Sequence, residues 1–311
     1  MLAALLAILS AGPLRADEPC NDGSGIEVTG APALAFHDSY SPFDPLDLTE
    51  TISVIIANRS PGTCHLSIIF TTDDGTGRLE NGGETLTYAL ETASGAPLLR
   101  PASTMDPQAG AHVPLTLDQG QSAAITLRGR VPALQVVAPG TYADGSARIR
   151  IYRSPENGDF GALLTESSFP VSAHAAAVCT MSAPEPDHID FSDDIGADGR
   201  PAGTLRTVQL PEAACNSPAR LKLSGAPLAH QAGAALAGFD SFINFEAQAN
   251  FGSIGVLLAT EQGAEPAEAA SAPTTGTASA PVDMTLRLLA GRALAAGDYS
   301  GVLTITLEPS P

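Results

Sequence analysis

Four cysteines and six histidines are the side chains that could bind a metal or do nucleophilic work, and their spacing points away from both. His37, His65, His112, His174, His188 and His230 stand singly and read as loop or strand residues. No G-x-S-x-G, Walker loop or H-E-x-x-H is present. Asp190-Phe191-Ser192-Asp193-Asp194, with Asp198-Gly199 beyond, is rich in oxygen ligands. It lacks the spacing and terminal Glu of an EF-hand loop, so it reads as an acidic turn. Asn58-Arg59-Ser60 fits a glycosylation sequon, a pattern of low specificity. Cys20, Cys64, Cys179 and Cys215 are even in number and carry no CxxC spacing for zinc. Pairing by half predicts Cys20–Cys64 and Cys179–Cys215, loops of several tens of residues worth about 3–4 kcal/mol each. No constellation supports an enzyme, a cofactor or a metal.

Disulfides imply export, and the amino terminus agrees. Leu2 to Leu9 is apolar and is followed by Gly12-Pro13 and Leu14-Arg15-Ala16. This reads as a signal peptide, residues 1–16, cleaved after Ala16. A positive n-region is missing; a start upstream of Met1 would supply it. No segment is long enough to be a transmembrane helix. The 311 residues suit two domains. A net charge of −19, acidic in both halves and with Lys222 as the single lysine, excludes binding to a nucleic-acid backbone. Aromatic residues are 5% with no Trp, so the cores must be aliphatic, and 30 Gly with 25 Pro favour turns.

The two halves repeat one another. Pro139-Gly140-Thr141-Tyr142 precedes the alternating run Ala147 to Tyr152; Ala296-Gly297-Asp298-Tyr299 precedes Val302 to Leu307. The tyrosines, the first cysteines, the second cysteines, and Phe36 with Phe191 recur in one order at offsets between 151 and 159. Within each copy, short β-prone runs alternate with turn residues: 52–56, 66–70, 86–90 and 124–127, then 205–210, 221–223, 242–245 and 284–288. Asp74-Gly75 and Asn81-Gly82-Gly83 are hairpin signals. The fold class expected is all-β, two tandem sandwiches. Residues 260–281, mostly Ala, Pro, Ser and Thr, are expected to form a long mobile loop.

One strand serves both copies. In Leu163 to Ala177, the residues Leu163, Phe169, Val171, Ala173 and Ala175 share a parity, as in a half-buried strand. It follows the last strand of copy one and precedes the first cysteine of copy two. Copy two, whose last run stops near Pro311, shows no equivalent, so its sandwich is expected to lack its final strand. A sheet one strand short exposes unpaired backbone and an apolar groove. Leu163, Phe169, Val171 and Ala173 are thus the candidate donor strand completing copy one in cis. Val302, Ile305 and Leu307 are the candidate acceptor strand of copy two, to be filled by another chain.

The pattern then resembles a known family. Residues 169–183, Phe-Pro-Val-Ser-Ala-His-Ala-Ala-Ala-Val-Cys-Thr-Met-Ser-Ala, are similar to the leader of spore coat protein U domain subunits. Phe36 and Phe191 resemble that family's Phe after the cysteine, and Gly140-Thr141-Tyr142-Ala143-Asp144 and Gly297-Asp298-Tyr299-Ser300-Gly301 its terminal strand. The family supplies subunits of archaic chaperone–usher pili. The resemblance implies immunoglobulin-like domains, a periplasmic chaperone, an outer-membrane usher, a neighbouring pilin and a place on the cell surface. A subunit that accepts a strand and donates none sits at a fibre end. The implied role is a tip adhesin, with residues 17–177 as the adhesin-like domain and 178–311 as the pilin-like one. Candidate binding loops are Ser39 to Leu48, with Tyr40, Phe43 and Leu46, and Ala96 to Pro114. The alternative is a secreted two-domain β-sandwich that binds carbohydrate or protein and is complete on its own.

Overall fold

The computed structural model describes residues 20, 23–30, 32–103, 112–154, 161–231, 237–261 and 266–310. The leader at 1–16 and the centre of the Ala96–Pro114 loop lie outside them. Among the described residues there is no α-helix, only a 3-10 turn at Ser192–Asp194, and the rest of the regular structure is strand. Alternation is the cause. Ala219–Gly225 buries every second residue, and Val282–Leu288 and Phe245–Phe251 do likewise. Such strands offer one apolar face, and two such faces must meet to leave water; Cys64–Thr72 is the exception, buried along nearly its whole length.

Residues 20–175 build one core and residues 179–307 another. In the first half an eight-stranded sheet has the order 26–29, 48–58, 122–131, 84–92, 77–81, 140–144, 171–175, 34–35. It packs on a second sheet in which Cys64–Thr72 is bonded to 148–153 on one side, and 148–153 in turn to 163–168. The other side of Cys64–Thr72 takes both 113–117 and 99–101. Ile56, Leu66, Ile68, Leu79, Leu86, Tyr142 and Ile149 are closed off between the layers. At about 1.5–3 kcal/mol per large side chain, this burial is the main favourable term. The hairpin at Asn81–Glu84 turns through Gly82 (φ +58°) and Gly83 (φ +95°), the left-handed pair that a two-residue hairpin requires.

The second half has a four-stranded sheet in the order 206–210, 282–288, 245–251, 254–259. Facing it is a three-stranded sheet in the order 267–270, 219–225, 303–309. Two small sheets complete it: 179–181 with 213–215 and 278–279, and 242–243 with 228–230 and 299–300.

Three expectations need correction. Residues 163–177 are not one strand but two, Leu163–Ser168 and Val171–Ala175, in different sheets. Pro170 has no N–H for a ladder, so the chain leaves one sheet there and enters the other. Leu163 is consequently 47% exposed, not a core residue. The described part of 260–281 is not a loose loop. Ala267–Ala270 pairs with 222–225, and beyond it hydroxyls replace carbonyls as ladder acceptors. Leu221 N donates to Ser271 Oγ (3.0 Å) and Ala219 N to Thr274 Oγ1 (2.9 Å). A segment without large side chains thus holds an edge by backbone and hydroxyl hydrogen bonds, with Ala267 and Ala269 packed against the core. Finally, the 242–245 run breaks at Asn244, and Leu205 lies outside its strand, 63% exposed.

Candidate functional site

The terminal motif of each half builds the same device. Gly140 (φ +148°) and Gly297 (φ +145°) adopt a backbone that side chains disfavour, and a Cβ on either would collide with a polar side chain beneath it. That group is Asn81 in the first half and His230 in the second. Two residues on, Tyr142 OH reaches Ala138 O (2.8 Å) and Tyr299 OH reaches Ala295 O (3.2 Å). A tyrosine bonded back to the chain a few residues upstream is the tyrosine corner of immunoglobulin-like sandwiches. Tyr142 is also anchored on Glu84 Oε2 (2.9 Å) and Tyr299 on Asp240 O (2.8 Å). Burial, with the Glu84 carboxylate adding to it, pushes the Tyr142 phenol up to about 12.

From each corner the chain runs on as a strand in two parts that lie in different sheets. In the first half these are Gly140–Asp144 and Arg148–Arg153; in the second, Tyr299–Ser300 and Leu303–Pro309. The first-half pair is fully covered. Leu163–Ser168 pairs antiparallel with 148–152, and Val171–Ala175 pairs antiparallel with 140–144. Phe169, at the junction, donates its N–H to Ala147 O (3.0 Å) and packs edge-on against Phe70 with centroids 5.6 Å apart. Phe169, Val171 and Ala173 are buried.

The second-half pair is covered on one side only. Leu303–Pro309 bonds to 219–225 and Tyr299–Ser300 to 229–230. Among the described residues no strand pairs with their other edges. These are the edges that 163–168 and 171–175 fill in the first half. Leu303, Ile305 and Leu307 point toward the core but stay half-buried, where the matching Ala147, Ile149 and Ile151 are fully buried. Leu303 takes the place expected of Val302. The break between the two parts is one residue shorter than in the first half, so Val302 falls in the break and is 76% exposed. The geometry is that of an open template for an extended peptide.

The candidate loop Ser39 to Leu48 does not present all three named residues. Tyr40 is buried, its hydroxyl donating to Pro132 O (3.1 Å) and accepting from Gln135 N (2.6 Å), and Phe43 is half-buried. Leu46 is 73% exposed. The loop lies where the halves meet, since Tyr40 O accepts from Ala176 N (2.9 Å). Asn216, fully buried, closes the same joint. Its Nδ2 donates to Val137 O (3.0 Å) and Ala176 O (2.8 Å), and its Oδ1 accepts from Val178 N (2.8 Å). Nothing in the sequence marks Asn216 except its place after a cysteine.

Both cysteine pairs expected from the sequence are disulfides, Cys20–Cys64 and Cys179–Cys215. The second joins directly opposed residues of 179–181 and 213–215. Asn58 of the sequon is buried, donating to Gly62 O and Leu117 O and accepting from Ser60, so it is a structural residue. At the start of the acidic turn Asp190 Oδ1 accepts from Ser192 N (2.8 Å), which holds its carboxyl below the usual range. Among the described residues no cluster of three His, Cys, Asp or Glu could hold a metal, and no helix is long and apolar enough to cross a membrane.

The fold is thus all-β, made of immunoglobulin-like sandwiches. No family model and no curated protein matches the chain. Solved structures similar to it include a chain of the CsuC–CsuE chaperone–tip adhesion subunit pre-assembly complex, from archaic chaperone–usher Csu pili of Acinetobacter baumannii. It has 12% identity and a TM-score of 0.48, over 91% of this chain and 99% of that one. The CupB6 tip adhesin of Pseudomonas aeruginosa has 10% identity and a TM-score of 0.32, over 92% of each chain. A chain of a chaperone–tip adhesin complex of CFA/I fimbriae has 10% identity and a TM-score of 0.32, over 91% of this chain and 98% of that one.

Proposed function

We propose that this protein is the tip subunit of a chaperone–usher surface pilus. In this reading residues 17–177 form the adhesin-like domain, closed by 163–175 in cis, and residues 178–311 form a pilin-like domain that accepts a strand from the next subunit. One observation carries it: among the described residues, the edges that 163–168 and 171–175 fill in the first half have no pairing strand at 303–309 and 299–300 in the second. Unpaired backbone beside half-exposed Leu303, Ile305 and Leu307 is a liability in a free protein and an asset in one that assembles by strand addition. A periplasmic chaperone would cover this edge first, and at the usher a neighbouring pilin would replace it. Two disulfides suit the oxidising route through the periplasm.

Hydrogen exchange on the full chain tests this. Amides of 303–309 facing away from 219–225 are expected to exchange within seconds in the free chain, while those of 148–153 stay protected. Adding a purified pilus chaperone is expected to slow the former at least about tenfold. Protection of 303–309 in the free monomer equal to that of 148–153 would mean a self-contained binding module instead.

A further inference from the structure

Resting on that reading, we propose that the strand accepted by the second half is kinked: two short runs, one for each sheet, joined by a bulky apolar residue that enters the core. The occupant is a peptide segment of another subunit with that pattern.

The acceptor itself is broken. Tyr299–Ser300 belongs to the sheet of 228–230, and Leu303–Pro309 to the sheet of 219–225. A straight strand laid along 303–309 would continue in that sheet and leave the edge of 299–300 unpaired. Only a segment that changes sheet beside residues 301–302 satisfies both edges.

The first half displays such a segment in place. The filling chain leaves one sheet at Ser168 and enters the other at Val171. Phe169 N bonds to Ala147 O, Pro170 O accepts from Leu34 N (3.0 Å), and the Phe169 ring is 1% exposed against Phe70. The wall that would receive an equivalent side chain exists in the second half. Phe70 pairs with Ile149 in register, as Leu223 pairs with Ile305. One step back along each strand's inner face stand Ala147 and Leu303. Phe70 with Ala147 carries the same number of side-chain carbons as Leu223 with Leu303, so the apolar material around the socket is conserved while its distribution changes. What differs is the lid. Leu303 is half-buried and Val302 mostly exposed, where Ala147 lies covered beneath Phe169. Apolar surface is thus left uncovered at the break, where the bulky residue would sit.

The test adds synthetic peptides to the full chain. One copies residues 163–175. A second carries Phe169→Ala. A third carries Phe169→Thr and Pro170→Val, which gives uninterrupted strand chemistry. Hydrogen exchange locates binding and titration gives the dissociation constants. The first peptide is expected to slow exchange at both 299–300 and 303–309, leaving 140–153 unchanged. Phe169→Ala is expected to weaken it at least about tenfold, the consequence of losing a buried ring. The straightened peptide is expected to protect 303–309 without 299–300. If the straightened or the alanine peptide binds as tightly as the parent and protects both stretches, the kink is refuted while strand acceptance stands. If none of the three protects either stretch, strand acceptance falls and the kink with it.

Discussion

Phe169→Ala is the sharpest perturbation of the segment that closes the first half. The ring is 1% exposed and meets Phe70 edge-on at 5.6 Å. Truncating a buried Phe costs about 3–5 kcal/mol, from lost transfer energy and the cavity left behind. A domain has a net stability of about 5–15 kcal/mol, so this is at least about a fifth of it and in a marginal domain all of it. With a urea slope of about 2 kcal/mol per M, a loss of 4 kcal/mol moves the midpoint down by about 2 M. The protein has no Trp, and of its five tyrosines Tyr40, Tyr88, Tyr142 and Tyr152 lie in the first half, against Tyr299 in the second. Tyrosine fluorescence in urea therefore follows mainly the first half. Leu163→Ala is the control: it belongs to the same segment but is 47% exposed, and its expected shift is under about 0.5 M. A Phe169→Ala midpoint within about 0.3 M of the parent would refute the reasoning, because the ring would then not be part of a closed core. Equal shifts for the two variants would refute it too.

Alkali should loosen the first half. The Tyr142 phenol titrates at about 12 when folded and near 10 when unfolded, so the unfolded chain gives up its proton first. The stabilisation is complete below pH 10 and lost as pH rises through 12; urea midpoints between pH 9 and 12 should fall in the parent and fall less in Tyr142→Phe. Asn216→Ala would strip Val137 O, Ala176 O and Val178 N of their partner. It should cost about 2–4 kcal/mol in urea unfolding and speed amide exchange at 176–178, whereas unchanged exchange there would mean the joint is held by other contacts.

Much of this was written in one dimension. Alternating residues decide strands wherever the protein is, because a period of two leaves one face to bury. The repeat was legible because Gly140 and Gly297 have no room for a Cβ and Tyr142 and Tyr299 each tie the chain back on itself, which pins residue type to place. The cysteine pairs were legible from count and spacing. Other features depend on what lies across the fold. That 163–177 would split between two sheets turned on where the edges of 140–144 and 148–153 end, although Pro170 marked the point. Tyr40 could not be told from an exposed loop aromatic until Pro132 and Gln135 were placed beside it. Ser271 and Thr274 looked like part of a slack stretch because their ladder role exists only next to the backbone of 219–221. Asn216 is one asparagine among several until three separate backbone groups converge on it. Local patterning determined the strands and turns, since those are decided by a residue's near neighbours. Edges, sockets and joints were decided only in three dimensions, since each needs partners that the chain brings together from far apart.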